Sequence, residues 1–372
     1  FIKAVNKGFA ASKAPYVCLL NNDTVVTKGW LKRLIELAER NPAFGLINPL
    51  GGNEHIKNNM SLEEYARSIK KNKGRYTETA QAMGFCMLIK RKVIEKIGFL
   101  DEIFGMGGFD DTDFSKRAFL AGYKCITSLD TYVHHRENIS FKVLGNVNER
   151  VKRNEGIFLN KWGGFYRILY VVTNPAIDRF INHYNTALGL ARDWNWVHLW
   201  VLGKKDIFNS INNYKKKYNI PEHQNLRNSF SVTRVAGFLH KKIFLMKLIF
   251  SLIGRKFKKK GHKQFDFIIV DNPKTALFIT KFKNLLSIPI LCEVDSKETF
   301  NRQFSNHVEG LFTADREIFD ILNSHDFASK IALAPYGKDI LTAGNLDSNF
   351  ERSWIGRGKC ITGLFQKRDE KP

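Results

Sequence analysis

Paired cysteines, long apolar runs and an adequate supply of acids are all missing from this sequence. Its five cysteines, Cys18, Cys86, Cys125, Cys292 and Cys360, lie far apart with no C-x-x-C pair among them. That spacing excludes a zinc ribbon and a disulfide framework. An odd, scattered set inside apolar runs reads as buried free thiols in a reducing compartment. No stretch reaches the roughly 18 uninterrupted apolar residues of a membrane-crossing helix. With no signal peptide either, the expectation is a cytoplasmic protein, soluble or peripheral at the inner face of the plasma membrane. Acids number 36 against 59 Lys and Arg, a formal charge of +23. So large an excess calls for an anionic partner: lipid, nucleotide diphosphate, acidic polysaccharide or nucleic acid. No arginine-rich reading helix, zinc-knuckle spacing or aromatic RNA-binding signature accompanies the charge, so no nucleic-acid partner is expected.

What is present is enough for packed cores: 44% hydrophobic and 13% aromatic residues over a length of 372. At roughly 150 residues per domain, that length predicts two domains. The chain starts at Phe1, with no Met, inside a pattern already under way. A piece of a longer protein, cut at the N-terminus and at the C-terminus too, is therefore the expectation.

The first segment alternates strand-like and helix-like runs. Tyr16–Leu20 is a short apolar run ending in Asn21-Asn22-Asp23, as expected of a buried strand that delivers its last residues to a sheet edge. Residues 29–40 show a helical face stopped by Asn41-Pro42, and 44–48 another buried strand before Gly51-Gly52-Asn53. Ser61 and Glu64 form a capping-box pair at the head of a helix over 61–71. Residues 84–89 read as a strand, 92–97 as a short helix, 105–110 as a glycine-rich loop and 111–121 as a helix stopped by Gly122. From about residue 166 a second alternation begins. Strands over 168–173, 197–202, 265–270, 288–293, 309–314 and 330–334 have helical stretches between them. This predicts a second α/β domain of the doubly wound kind, with the boundary near Trp162-Gly163-Gly164.

The acids cluster in two places. Asp23 stands where a strand ends, a position suited to a divalent cation, Mg²⁺ or Mn²⁺, that takes oxygen ligands from both protein and phosphate. Asn21 and Asn22 would orient that ion or contact a ribose. Asn-Asn-Asp-Thr is equally good material for a turn or a helix cap. Asp110, Asp111 and Asp113 lie where a helix begins, and acids there satisfy free amides and the helix dipole. Three carboxylates in four residues after a glycine-rich loop exceed what capping requires, and one of them has the setting of a general base. His134 and His135 follow the strand-like Tyr132-Val133. An imidazole there either joins Asp23 on a metal, contacts a diphosphate, or is a plain surface histidine.

Taken in order, these residues resemble glycosyltransferase family 2. The likeness is carried by Asn6-Lys7-Gly8, by the run from Tyr16 through Asn21-Asn22-Asp23-Thr24, and by Gly29-Trp30-Leu31. It continues in Gly84-Phe85-Cys86-Met87-Leu88-Ile89, Gly98-Phe99-Leu100-Asp101-Glu102 and Phe104-Gly105. Asp110-Asp111-Thr112-Asp113 with Arg117, Ala121-Gly122-Tyr123, and His135 with Ser140-Phe141 complete it. The resemblance covers about residues 1–165. It implies a GT-A fold, Rossmann-like and here partial, and inverting transfer from a nucleoside-diphosphate sugar to a glycan or lipid-linked acceptor in surface polysaccharide or lipopolysaccharide assembly. Asp111 is implied as the catalytic base. Asp23, the last acid of a D-x-D element whose first position is here Asn21, and His135 are implied as metal ligands. Asn21, Asn22 and Asp110 fall on the donor side, and Asp113, Gly107 and Gly108 on the acceptor side. Asp110 replaces the family's usual Glu. The resemblance also implies a first strand, with the aspartates that grip the nucleobase and ribose, preceding Phe1.

Residues 166–372 are expected to form the second domain. Over about 166–345 they resemble the N-terminal half of a GT-B, family 4-like glycosyltransferase, which implies an acceptor-binding Rossmann-like half. Polar residues end its strands at Asp271-Asn272-Pro273 and Glu293-Val294-Asp295, places where parallel sheets bind ligands. Between 241 and 263 nine Lys and Arg alternate with apolar residues and no acid intervenes. A basic amphipathic helix of this kind suits an anionic membrane surface; the plainer reading is a core helix with a basic end. Overall the sequence predicts a metal-assisted sugar transferase, or else a carbohydrate- or membrane-binding piece whose machinery is inactive.

Overall fold

In the computed structural model, residues 1–52, 56, 58–136, 147–173, 175–218, 220–232, 238–257, 264–294, 308–323, 331–334, 357 and 359–362 are described. They fall into two compact units, Phe1–Gly164 with Pro221–Gln224, and Phe165–Ile220 with Asn225–Pro372. Along the first stretch come α1 (Ile2–Ala11), β1 (Tyr16–Leu20), β2 (Thr24–Val26), α2 (Trp30–Glu39), β3 (Phe44–Leu50) and α3 (Leu62–Ser68). There follow β4 (Tyr76–Thr79), β5 (Cys86–Lys90), α4 (Arg91–Ile97), α5 (Asp110–Leu120), β6 (Lys124–His135) and α6 (Val147–Trp162). The later chain gives β7 (Arg167–Thr173), α7 (Ile177–Arg192), β8 (Trp196–Gly203), α8 (Lys205–Lys217), β9 (Glu222–His223), β10 (Leu226–Val232) and α9 (Phe238–Phe257). Then come β11 (Phe267–Val270), α10 (Pro273–Thr280), α11 (Lys283–Leu286), β12 (Ile290–Glu293), β13 (Gly310–Thr313), α12 (Arg316–Asn323) and β14 (Ile331–Leu333).

The first unit is built on a mixed sheet in the order β1-β5-β3-β6-β4-β9, with β2 also on β6. On α2 the apolar positions recur at helical spacing, and Leu34, Leu37 and Ala38 bury against Phe44, Ile47, Leu88 and Ile126 of the sheet. The capping box at α3 forms as its sequence dictates: Ser61 Oγ accepts from Glu64 N, and Ser61 N donates to Glu64 Oε2. β6 is irregular where it matters. Asn48 pairs with Thr127 but Leu50 with Tyr132, so β6 advances five residues while β3 advances two. Asp130 holds that bulge, its Oδ1 accepting from Ser128 Oγ at 2.7 Å and its Oδ2 from Gly74 N at 2.8 Å. The bulge re-aims the end of the strand, which carries His134 and His135.

The second unit has the expected doubly wound sheet, parallel throughout, in the order β10-β8-β7-β11-β12-β13-β14. The order reverses between β7 and β11, so that their carboxyl ends form the switch point. Burial on both faces explains the apolar run of β7. Ile168, Tyr170 and Val172 pack with α7 and α8, and Leu169 and Val171 pack with α9 and α10 on the other side.

Two expectations are corrected here. Cys360 is exposed and Cys18 only half-buried, so the thiols are free but not uniformly buried. The apolar side that a membrane surface would need on α9 is occupied: Phe244, Leu245, Leu248, Ile249 and Leu252 lie in the core, leaving Ile243 and Phe250 outside. Residues 258–263 of the basic stretch lie outside the described residues, as do Asn53, Ser140, Phe141 and Asp295. Among the described residues no helix is long and apolar enough to cross a membrane. We expect Leu248→Ala to destabilise the second unit by about 2–5 kcal/mol, while Phe250→Ala shifts stability by no more than about 0.5 kcal/mol. Urea denaturation of the two variants checks this; equal effects would mean that α9 is not a core helix.

Candidate active site

The end of β1 sets the first piece of the site. Asn21 N donates to Phe85 O at 2.8 Å, and Thr24 Oγ1 closes a turn by donating to Asn21 O at 2.7 Å. The turn delivers Asp23 to the end of β6, where Thr24 pairs with His135. Asp23 Oδ1 lies 3.2 Å from His135 Nε2. The contact is not aligned as a hydrogen bond, and Oδ1 is a buried oxygen with no hydrogen-bond partner. Two ligand atoms at about 2.1 Å on one octahedral ion stand about 3 Å apart, so this pair fits Mg²⁺ or Mn²⁺. Among the described residues no third Asp, Glu, His or Cys joins them. Such ions are held by one or two protein groups, with phosphate and water completing the shell. His134 is engaged elsewhere, with its Nδ1 3.1 Å from Gly52 O. Asn21 is half-buried and Asn22 exposed.

The second piece is the head of α5. Asp111 Oδ2 accepts from Gly84 N at 2.9 Å and its Oδ1 from Thr112 N at 2.8 Å. Burial first, and the Asp110 carboxylate second, push the Asp111 carboxyl up to about 6. Asp110 is itself raised by burial, and its Oδ1 accepts from Gly108 N at 2.7 Å. Asp113 differs. It is 0% exposed, with Oδ2 bonded to Arg117 Nε at 2.8 Å and Oδ1 to Lys161 Nζ at 2.9 Å and Trp162 Nε1 at 2.8 Å. These partners neutralise and enclose it, so its surroundings support a structural role rather than the acceptor-side one. The carbonyls of Phe104, Gly107 and Gly108 all accept from Asn154 Nδ2, at 2.9, 3.1 and 2.9 Å. That single buried amide fixes the loop feeding Asp110 and Asp111, including a Gly107 whose φ of +98° suits a residue without Cβ.

A third piece joins the other two. Asn48 Nδ2 donates to Met83 O at 2.7 Å and Cys86 O at 2.6 Å, and its Oδ1 accepts from Met83 N at 3.0 Å. Ser115 Oγ accepts from Ala82 N and donates to Asp111 O. Held this way, the segment presents Gly84 N to Asp111 and stacks the Phe85 ring on His135, centroids 5.2 Å apart and planes within 16°. Gly51 makes room, since a Cβ there would meet Phe85 Cζ at 2.5 Å. Beside His135 and Phe85 opens a cavity of about 620 Å³. So Asp23 meets His135, and Asp111 is tied to the neighbouring residue of the same segment.

Residues 1–98 match the model for glycosyl transferase family 2. That glycosyltransferase match takes in Asn21, Asn22, Asp23 and Gly84, while Asp110, Asp111 and His135 lie beyond it. The search of curated proteins found no match. Among solved structures, Arabidopsis thaliana UGT89C1 with quercetin is 11% identical over 47% of this chain and 52% of its own, with a TM-score of 0.33. Anabaena Alr3699/HepE with UDP and glucose is 12% identical over 47% and 46%, TM-score 0.31. GalNAc-T7 with UDP, GalNAc and Mn²⁺ is 13% identical over 60% and 42%, TM-score 0.32. This chain thus spans about half the length of the structures it matches.

Asn48, Ser115 and Asn154 were not singled out in the sequence. A lone Asn within the buried strand 44–50 is a signal for the first, because a polar side chain there needs partners. Asn154→Ala leaves three carbonyls of the loop without their donor. We expect it to cost about 3 kcal/mol or more in urea denaturation of the first unit. A loss under about 1 kcal/mol would show that the loop does not depend on it.

Proposed function

We propose that the first unit transfers a sugar from a nucleoside-diphosphate sugar to a hydroxyl of a glycan or lipid-linked acceptor, with inversion at the sugar carbon. Asp111 carries this reading. It is an acid lifted to about 6 by burial and by Asp110, tied by Gly84 to the segment that also meets His135. A base with a pKa near 6 is ionised at neutral pH yet strong enough to take a proton as it leaves. Ionised Asp111 accepts the acceptor hydroxyl's proton. The freed oxygen bonds to the anomeric carbon on the face opposite the diphosphate. The carbon–oxygen bond to the diphosphate breaks, and its electron pair leaves with that group. Asp23 and His135 would hold a divalent cation, which would supply positive charge beside the leaving diphosphate. Asn21 and Asn22 flank the donor, and Asp110 acts chiefly by raising its neighbour's pKa.

The family match over residues 1–98 supports the transferase class. The second unit is assigned as an acceptor-binding, half GT-B-like domain on the strength of its doubly wound sheet. Surface polysaccharide or lipopolysaccharide assembly in the cytoplasm, at the membrane's inner face, is the setting we propose.

The test is a donor screen with the full-length protein. Asp111→Asn should lower kcat about 10²–10⁴-fold. In the unaltered protein kcat/KM should rise with pH through about 6 and then level off, because a protonated Asp111 cannot accept the hydroxyl proton. Retained transfer in Asp111→Asn, or a rate flat between pH 5 and 7, would remove Asp111 from the role of base. Separately, chelation should abolish transfer, and added Mn²⁺ should restore it. His135→Ala should bind Mn²⁺ more weakly by calorimetry, and unchanged binding would place the ion elsewhere.

A further inference from the structure

Resting on the transferase reading of the first unit, we infer that the cavity beside His135 is a subsite for an uncharged saccharide and that Gln224 is a specificity-determining residue in its wall. Its volume of about 620 Å³ falls within the roughly 300–1,000 Å³ of small-molecule sites. In a chain of formal charge +23, no Asp, Glu, Lys or Arg among the described residues lines this cavity, and His135 is the one titratable group there. Among the described lining residues a diphosphate would find no Lys or Arg to pair with. Hydroxyls and amides line it instead, on Thr77, Thr79, Thr127, Gln81 and Gln224, beside the ring of Phe85. A pyranose has the matching two-sidedness, hydroxyls around its edge and C–H groups on its faces.

Gln224 reaches this wall through strand pairing. β9 runs parallel to β4, with Thr77 opposite Glu222 and Glu78 opposite His223, and Gln224 N donates to Glu78 O at 2.9 Å. Side chains alternate across a strand. Gln224 therefore emerges on the face of Thr77 and Thr79, while Glu78 and His223 are buried on the other. Its side chain is exposed. An amide offers donors and an acceptor in one plane and so holds two neighbouring hydroxyls. The segment 221–224 lies far outside the residues that match the family model, 1–98.

The test uses the full chain, an array of neutral mono- and disaccharides, and UDP with Mn²⁺ as a separate probe. Binding is read by saturation-transfer NMR and titration calorimetry for the unaltered protein, Gln224→Ala and Gln224→Glu, with folding checked by circular dichroism. At least one neutral saccharide should bind, and Gln224→Ala should weaken it about tenfold or more while leaving UDP binding unchanged. If the alanine variant does not fold, Gln224→Asn is read in the same way. Absence of saccharide binding by the unaltered chain, equal binding by the folded variants, or loss of UDP in place of the saccharide overturns the inference. Saccharide binding needs no general base, so this outcome is independent of what Asp111→Asn does to transfer.

Discussion

The clamp of Asn48 on residues 83–86 is the constraint on which the first unit's site depends. One amide uses its donors on two carbonyls and its acceptor on one N–H of the same segment, and it does so from the middle of a buried strand. A polar side chain buried there is tolerable only when so fully engaged. Its effect reaches the chemistry through backbone. With 83–86 fixed, Gly84 N is fixed on Asp111, Phe85 O on Asn21 N, and the Phe85 ring on His135. Three sequence segments, from the end of β1, the head of α5 and the end of β6, are thereby referred to one piece of chain. The Asn154 amide does the same for the loop before α5.

Environment sorts the three carboxylates of α5. Asp113 is the most deeply buried, yet Arg117 and Lys161 compensate its charge and Trp162 completes its shell. Asp111 has only amide and hydroxyl donors, a like charge at Asp110, and no cation bonded to it, so desolvation prevails and its pKa rises to about 6. Each pKa unit is worth about 1.4 kcal/mol between the two protonation states. The difference between Asp113 and Asp111 is therefore a matter of which neighbours carry charge. Three acids within four residues look alike in sequence; they differ because only one of them faces Lys161, some fifty residues later.

Much of the fold was legible because it rests on local rules. The capping box at Ser61, the stop at Gly122 and the apolar runs of the second unit lie where the periodicity puts them, within a residue or two. The misses have physical reasons. β6 was visible only at Tyr132-Val133, because the polar Ser128-Leu129-Asp130-Thr131 interrupts the apolar pattern of a strand. It is in fact a bulge whose polar side chains satisfy one another and Gly74. α1 carries no capping signal at its first residue, and β9 is two residues long. On α9 the composition was right for a membrane surface, but the partner of its apolar face is the unit's own sheet, which no local pattern reveals. Asn21-Asn22-Asp23 was open to two readings, and the structure accommodates both: the backbone makes the turn, and the turn aims Asp23 at His135.

The two units show why strand-end polar residues alone do not mark a reaction centre. In the second unit Asp271, at the switch point, accepts from Thr173 N at 2.7 Å and from Asn272 Nδ2 at 2.6 Å. Glu293 on the next strand meets Arg357 Nη2 at 2.5 Å and His183 Nδ1 at 3.3 Å. Those carboxylates are buried and satisfied, and breaking such sets is costly, so they stabilise one arrangement of the strand ends. Asp23 in the first unit differs in kind, because its Oδ1 is buried, close to an imidazole, and without a hydrogen-bond donor. An acceptor left in that state carries a desolvation penalty of about 1–3 kcal/mol that a donor or cation brought to it would relieve. A cation shared with a diphosphate is such a group. That is the physical ground for our proposal that the chemistry lies in the first unit, where the strand end leading to Asp23 and the lifted carboxyl are bonded to one clamped segment.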